Sequence, residues 1–371
     1  MKIAIVGGGN IGTAIACYTA DKHDVYIYSS QPNVWKKNII YRDKVSGIVS
    51  ISSDIKKISD DYSIIISDAD IIFITHPSFM IETTINNIVP YLKKGCLVGI
   101  IPGTGGAEFY ANKVLAKNAV FFGLDRVPCV SRIEKYGEEI IASKKEKTRL
   151  ATIPRSYSKK VSEIISKVLD IDIEALDNYL VVTFTPSNPL VHSSRLYSML
   201  KDNEELNTWD YNPLFYGEWD DVASEIMIAC DNELHQICDS LDKLNMNQVI
   251  SLKEHYEVND INEMTNKIKS IDTMKHILSP MINLNGKFII DKNSRYFTED
   301  IPYGLCIIKD FARICKIDTP YIDKVLKCFE VFMNKEYFID NIFQGIDLKD
   351  TSIPSNYSLI DKNSIFDFYL Q

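Results

Sequence analysis

The chain begins with Ile3-Ala-Ile-Val6, followed directly by Gly7-Gly-Gly-Asn-Ile-Gly12 and then by the small-residue stretch Thr13–Ala20. A short apolar run of this kind suits a parallel strand buried on both faces. The stretch after the glycines reads as a helix with small residues on one side. Gly7-x-Gly9-x-x-Gly12 in a strand–turn–helix setting is the pattern a dinucleotide site requires. Gly7 allows the tight turn, Gly9 lets a pyrophosphate approach the backbone, and Gly12 lets the helix lie close on the strand. The same glycines could serve packing alone. On the binding reading, Asn10 and Ile11 join them in contacting the cofactor.

Further strands are expected at Asp24–Ser29, Asp70–His76, Leu97–Ile101 and Val120–Gly123, with an amphipathic helix at Met80–Leu92 that stops at Lys93-Lys94-Gly95. Repeated strand–helix units of this size argue for a Rossmann-type doubly wound parallel sheet. Residues 130–182, with one helix near Ser158–Leu169, are expected to complete it, so the first domain is 1–183. Pro77, just past the strand ending at His76, is expected beside the cofactor. Cys129 either lines the substrate pocket or packs as a buried thiol.

The second strand usually ends in Asp or Glu, which takes the ribose 2′-hydroxyl of NAD. Here Ser29 and Ser30 stand in that place. Two hydroxyls cannot replace a carboxylate there, nor do they repel a 2′-phosphate. Lys36, Lys37 and Arg42 offer positive charge nearby or form a solvated face. The cofactor is therefore NADP or NAD, with NADP favoured.

From about residue 184 the pattern turns helical, giving an α/β domain followed by an all-α domain, 184–371. Helices are expected at Trp219–Leu241, Val249–His255, Met274–Leu278, Pro302–Lys316, Tyr321–Asn334 and near Tyr337–Phe343, with Ile346–Gln371 as a tail over the surface. Asn188 is a good N-cap and Pro189 suits the first helical position, which puts His192 in the first turn with Arg195 three residues on. His192 is either a packing histidine or an acid–base group. In Asn293–Gly304, Arg295 offers a two-pronged donor for a carboxylate, or pairs with Asp300 to staple a loop. An Asp beside a His would hold its tautomer.

The net charge is −9, without a basic run, which argues against a nucleic-acid partner. No stretch approaches the roughly 20 apolar residues of a membrane span. The eight cysteines show neither a CxxC pair nor zinc spacing. A reduced, cytoplasmic protein, without a metal, is expected, as monomer or homodimer.

Asn188-Pro-x-x-His192-x-x-Arg195-Leu-Tyr197, Pro213-Leu-Phe-Tyr216 with Trp219, and Arg295-Tyr-x-x-Glu-Asp300-x-Pro-Tyr-Gly304 together resemble the octopine/nopaline (opine) dehydrogenase family over nearly the whole chain. The resemblance implies His192 as the catalytic histidine and Asp300 as its partner in an acid–base pair, and Arg295 as the grip on a substrate carboxylate, with Arg195 and Cys129 at the substrate. It implies NAD(P)H-dependent condensation of an α-keto acid, such as pyruvate, with the amino group of an amino acid. The region selecting the amino acid would be Leu200–Trp219 with the loops around Asn283–Lys292. Two rivals stand beside this. One is a simple keto-acid reductase of the 6-phosphogluconate-dehydrogenase-like superfamily, whose catalytic Lys has no obvious counterpart here. The other is a non-catalytic NAD(P)-binding sensor.

Overall fold

The computed structural model describes residues 1–185, 187–200 and 208–371. The chain forms two compact units, Met1–Thr185 with Asp367–Gln371, and Pro186–Phe366.

An eight-stranded sheet organises the first unit. Its order is Asp172–Ala175, Lys147–Ile153, Val120–Leu124, Leu97–Ile100, Ile71–Ile74, Lys2–Val6, Asp24–Tyr28, Lys57–Ser59. All neighbours run parallel except Val120–Leu124 against Lys147–Ile153. The strands that read as continuous apolar runs, Ile71–Ile74 and Leu97–Ile100, are fully buried, as a sheet covered on both faces requires. The chain leaves Lys2–Val6 to one side for Asp24–Tyr28 and returns on the other at Ile71–Ile74, so the glycine turn lies at a topological switch point.

The helix after the glycines runs Asn10–Thr19, three residues earlier than expected. Residues 130–182 do not all complete the main sheet. Cys129–Lys135 and Glu139–Lys144 pair with Ile40–Asp43 and Val49–Ile51 in a separate four-stranded sheet. Alternating half-exposed residues in these strands, rather than solid apolar runs, mark a layer with one covered face.

The second unit is built on helices Ser187–Leu200, Asp221–Ser240, Ile261–Ser270, Cys306–Cys315 and Pro320–Met333. Their starts are chemically specified: Asp220 accepts from the Ala223 N–H at 2.8 Å, and Asp260 from Glu263 at 2.8 Å. Pro320–Met333 has proline first and is capped from another helix. The Glu233 carboxylate accepts the Tyr321 and Ile322 N–H groups at 2.8 and 2.9 Å. Met274–Leu278 is not a helix: residues 274–276 lie in a turn and Leu278 pairs with Leu214 in an isolated antiparallel bridge, while 337–343 is a hairpin pairing Phe338–Ile339 with Ile342–Phe343. Asp340 and Asn341 hold positive φ in that turn, which local propensity for helix does not anticipate. The tail is not superficial: Ile365 is fully buried and Tyr369 nearly so, and its last five residues belong to the first unit. Among the described residues no helix is long and apolar enough to cross a membrane.

Candidate active site

In the first unit the glycine turn has the geometry of an anion cradle. Gly7 has φ +119°, and a Cβ there would stand 2.5 Å from Thr75 Oγ1. A Cβ on Gly12 would lie 1.9 Å from the Gly7 carbonyl oxygen, so only glycine lets the helix sit this close to the strand. Nothing lies within 4 Å of a Cβ on Gly9, which leaves open space beside the backbone. Gly9 is also the N-cap of Asn10–Thr19 and offers no side-chain cap. The first-turn N–H groups, at the positive end of the helix, therefore remain for a ligand. These features fit a dinucleotide pyrophosphate.

The other expected cofactor residues are placed less simply. Asn10 Oδ1 accepts the Ile133 N–H at 2.8 Å, so its side chain anchors the small sheet. Ile11 packs half-buried on the core. Ser29 is 3% exposed. Its hydroxyl accepts from Gln31 N and Trp35 Nε1, both at 3.1 Å, and lies 3.2 Å from the Tyr136 hydroxyl. That oxygen is already saturated, so Ser29, expected among the cofactor residues, spends its lone pairs on Gln31 and Trp35. Ser30 is exposed. Pro77 is half-buried and opens the turn Ser78–Met80. Next to it, Thr75 donates to the Gly7 carbonyl at 3.1 Å. Trp35, Tyr136 and His76 are neighbours of the cradle that the motif does not reveal. A Cβ on Gly8 would meet Trp35 at 2.5 Å and Tyr136 Oη at 2.8 Å, and burial lowers the His76 pKa, favouring its neutral form. Cys129 is fully buried, with burial raising its thiol pKa, and so exposes no surface to a substrate.

In the second unit the family-like motifs converge. His192 is 6% exposed. Its Nδ1 lies 2.7 Å from Asp300 Oδ2 and its Nε2 2.9 Å from the Tyr216 hydroxyl. Tyr296 stacks on its face at 4.1 Å between ring centroids, and Phe215 meets it edge-on at 5.7 Å. With Asp300 accepting from Nδ1–H, the neutral ring presents Nε2 as an acceptor and the protonated ring presents it as a donor. Burial, with Tyr296 beside it, pushes the Tyr216 phenol well above its usual range, and burial also raises that of Tyr296. Both therefore stay hydroxyls at neutral pH.

Local structure explains this convergence. Asn188 and Pro189 lie inside Ser187–Leu200, so His192 falls in the second helical turn, not the first. Asp300 precedes a π-turn, Ile301–Leu305, that leads into Cys306–Cys315. Wide turns of this type are frequent at functional sites.

Arg295 and Arg195 do not join the His192 cluster. Arg295 is largely exposed and ion-paired to Glu299 within one helical turn, so it does not staple Asp300 through its side chain. Arg195 is 5% exposed and donates to Asp220 at 2.6 Å and to Ser198 at 3.3 Å. Asp220 caps Asp221–Ser240, so Arg195 secures a helix start. Tyr216 and Tyr296 are the functional candidates the reading of single residues passed over. Each stands inside a quoted motif, yet neither is among the residues singled out from the sequence as site candidates. Of the proposed selectivity region, residues 201–207 lie outside the described residues.

A family model described as NAD/NADP octopine/nopaline dehydrogenase, alpha-helical domain, matches residues 175–333. A second, the N-terminus of NAD-dependent glycerol-3-phosphate dehydrogenase, matches 2–117. The chain is similar to octopine dehydrogenase of Pecten maximus, at 23% identity over 96% of both chains. It is also similar to tauropine dehydrogenase of Arabella iricolor, at 25% over 98% of this chain and 99% of that one. A solved octopine dehydrogenase structure with NADH and L-arginine shares the fold, with a TM-score of 0.86 at 20% identity, covering 98% of this chain and 97% of that one. The helical half carries the specific match and the relatives run the whole length, and on these grounds the chain resembles, throughout, the octopine/nopaline dehydrogenase family of NAD(P)-dependent oxidoreductases.

Proposed function

We propose that the protein is an opine dehydrogenase, joining the keto group of an α-keto acid, pyruvate in the first instance, to the amino group of an amino acid and reducing the resulting C=N bond. The observation that carries this reading is His192, buried between Asp300 and Tyr216. Asp300 holds the Nδ1–H and fixes the ring's orientation, leaving the Nε2 side to move the proton that condensation and reduction require. Arg295, on the exposed turn just before Asp300, exchanges Glu299 for a substrate carboxylate and orients the reacting carbon. The dinucleotide, when bound on the Gly7–Gly12 cradle, supplies the hydride.

NADPH is preferred over NADH on this reading. The strand Asp24–Tyr28 is followed by no carboxylate, and Ser29 has no lone pair left for a diol. Lys36 and Lys37 are exposed nearby to meet a 2′-phosphate. The described cysteines are all free and mostly buried, which supports a reducing, cytoplasmic setting.

The test is oxidation of NADPH and NADH, followed by absorbance, with pyruvate and with or without an amino-acid pool. Oxidation that requires both keto acid and amine supports the proposal. Equal rates with keto acid alone would identify a simple keto-acid reductase instead.

A further inference from the structure

We propose that Tyr216 is a catalytic residue: its hydroxyl, rather than His192 Nε2, delivers the proton to the substrate, as the outer end of a Tyr216–His192–Asp300 relay. The proposal rests on the opine dehydrogenase reading above. Both imidazole nitrogens are occupied, Nδ1 by Asp300 at 2.7 Å and Nε2 by Tyr216 at 2.9 Å, and one ring face is covered by Tyr296. Tyr216 is not a loosely placed plug over the histidine. It is 6% exposed, its ring meets Phe215 edge-on at 4.9 Å, and it lies parallel to Trp219 at 6.4 Å. Trp219 is itself held by an indole N–H···O bond to Ser224 at 2.9 Å, and its backbone N–H donates to the Tyr216 carbonyl at 3.1 Å. Swinging the phenol away would unpack this stack, so the proton route from Nε2 runs through the hydroxyl.

The step balances. His192 starts as imidazolium, with Nδ1–H on Asp300 and Nε2–H on Tyr216 Oη. As the C–O bond of the carbinolamine breaks, the Tyr216 proton passes to the departing oxygen and the Nε2 proton moves to Tyr216 Oη. Water and an iminium form, His192 is left neutral, and Tyr216 is a phenol again. One positive charge moves from imidazolium to iminium, and no electron is gained or lost. A buried phenol that resists ionisation suits this role, because it passes a proton without holding a charge.

The experiment compares wild type, Tyr216→Phe and His192→Asn in single-turnover reactions with saturating NADPH, pyruvate and amine, in H2O and D2O mixtures. Tyr216→Phe keeps the ring packing and should lower the turnover rate about 10²-fold, with both substrate KM values nearly unchanged. The wild-type proton inventory should be curved, showing two protons in flight, and should become linear in Tyr216→Phe. A second variant, with 3-fluorotyrosine at 216, keeps shape and changes only acidity. It should shift the rate even if Tyr216→Phe folds poorly. Wild-type rates and inventory in both Tyr216 variants, with His192→Asn inactive, would overturn the relay and leave the His192–Asp300 reading intact. Wild-type turnover in His192→Asn would overturn both.

Discussion

Gly304 lies so close to Pro189 that a Cβ built on it would stand 2.4 Å from Pro189 Cγ. Pro189 is on the helix carrying His192, and Gly304 is in the π-turn that Asp300 opens. The contact sets how near the two elements come, and with it the 2.7 Å separation of His192 and Asp300. Gly304→Ala should force the rigid proline ring and the turn apart. Overpacking of this kind costs about 1–3 kcal/mol, and kcat should fall at least about tenfold. Stopped-flow turnover with thermal melts checks this; an unchanged kcat would show that the packing does not govern the pair.

Asp300→Asn leaves a side chain of nearly the same shape but removes the negative charge 2.7 Å from His192 Nδ1. Turnover should fall by about 10²–10⁴-fold, while the affinity for NADPH, measured by fluorescence titration, should stay within about twofold of wild type. The cradle lies in the other unit, at Gly7–Gly12. Equal loss of turnover and cofactor binding would argue for misfolding instead of lost chemistry.

Gly12→Ala tests the cradle directly. The added methyl would meet the Gly7 carbonyl oxygen at 1.9 Å, and backbone cannot give way there without moving the turn. Cofactor affinity should drop at least about tenfold, roughly 1.4 kcal/mol. Isothermal titration with NADPH and NADH measures it, and undiminished binding of both would remove the glycine turn as the pyrophosphate site.

Ser29→Ala separates structure from recognition. The hydroxyl accepts the Trp35 indole N–H at 3.1 Å in a buried setting. Losing it strands a buried donor, at a cost of about 1–3 kcal/mol. The melting temperature should fall while the ratio of NADPH to NADH turnover stays as in wild type. A changed ratio would return Ser29 to the ribose.

Glu108 gives a pH signature. It is fully buried, its carboxylate accepting from the Thr183 hydroxyl and, at 2.9 Å, from Tyr369, while Oε2 has no partner among the described residues. Burial pushes its pKa up from 4.5 to about 7. Between those values the folded state holds a proton that the unfolded chain has lost, so stability falls as pH rises through this window. Glu108→Gln should flatten the loss of melting temperature between pH 5 and about pH 8. A slope equal to wild type would assign the pH dependence to other groups.

Much of the architecture was legible because it depends on short-range pattern. Gly7, Gly9 and Gly12 announce a cradle through spacing alone, since each answers a local steric demand. Solid apolar runs such as Ile71–Ile74 can only be buried strands in a covered sheet. The histidine, the aspartate and the π-turn glycine could be picked out as one group through the family's motifs, though more than a hundred residues separate the first two.

What the chain alone could not settle was decided by partners distant in sequence. Ser29 looked like a cofactor ligand until Trp35 and Tyr136 closed over it. Arg195 was expected at the substrate, and the fold pairs it with Asp220. Cys129–Lys135 and Glu139–Lys144 left the main sheet because Ile40–Asp43 was there to pair with, and 337–343 became a hairpin on two positive-φ residues. Tyr216 was only a letter in a motif until the fold brought its hydroxyl to His192. The sequence by itself determined the two-unit plan and the steric demands of the glycine turn, because steric need and apolar periodicity are properties of neighbours along the chain. Only the tertiary structure decided which polar atoms are spent on the fold and which remain for chemistry, because a hydrogen bond is allotted by proximity in space.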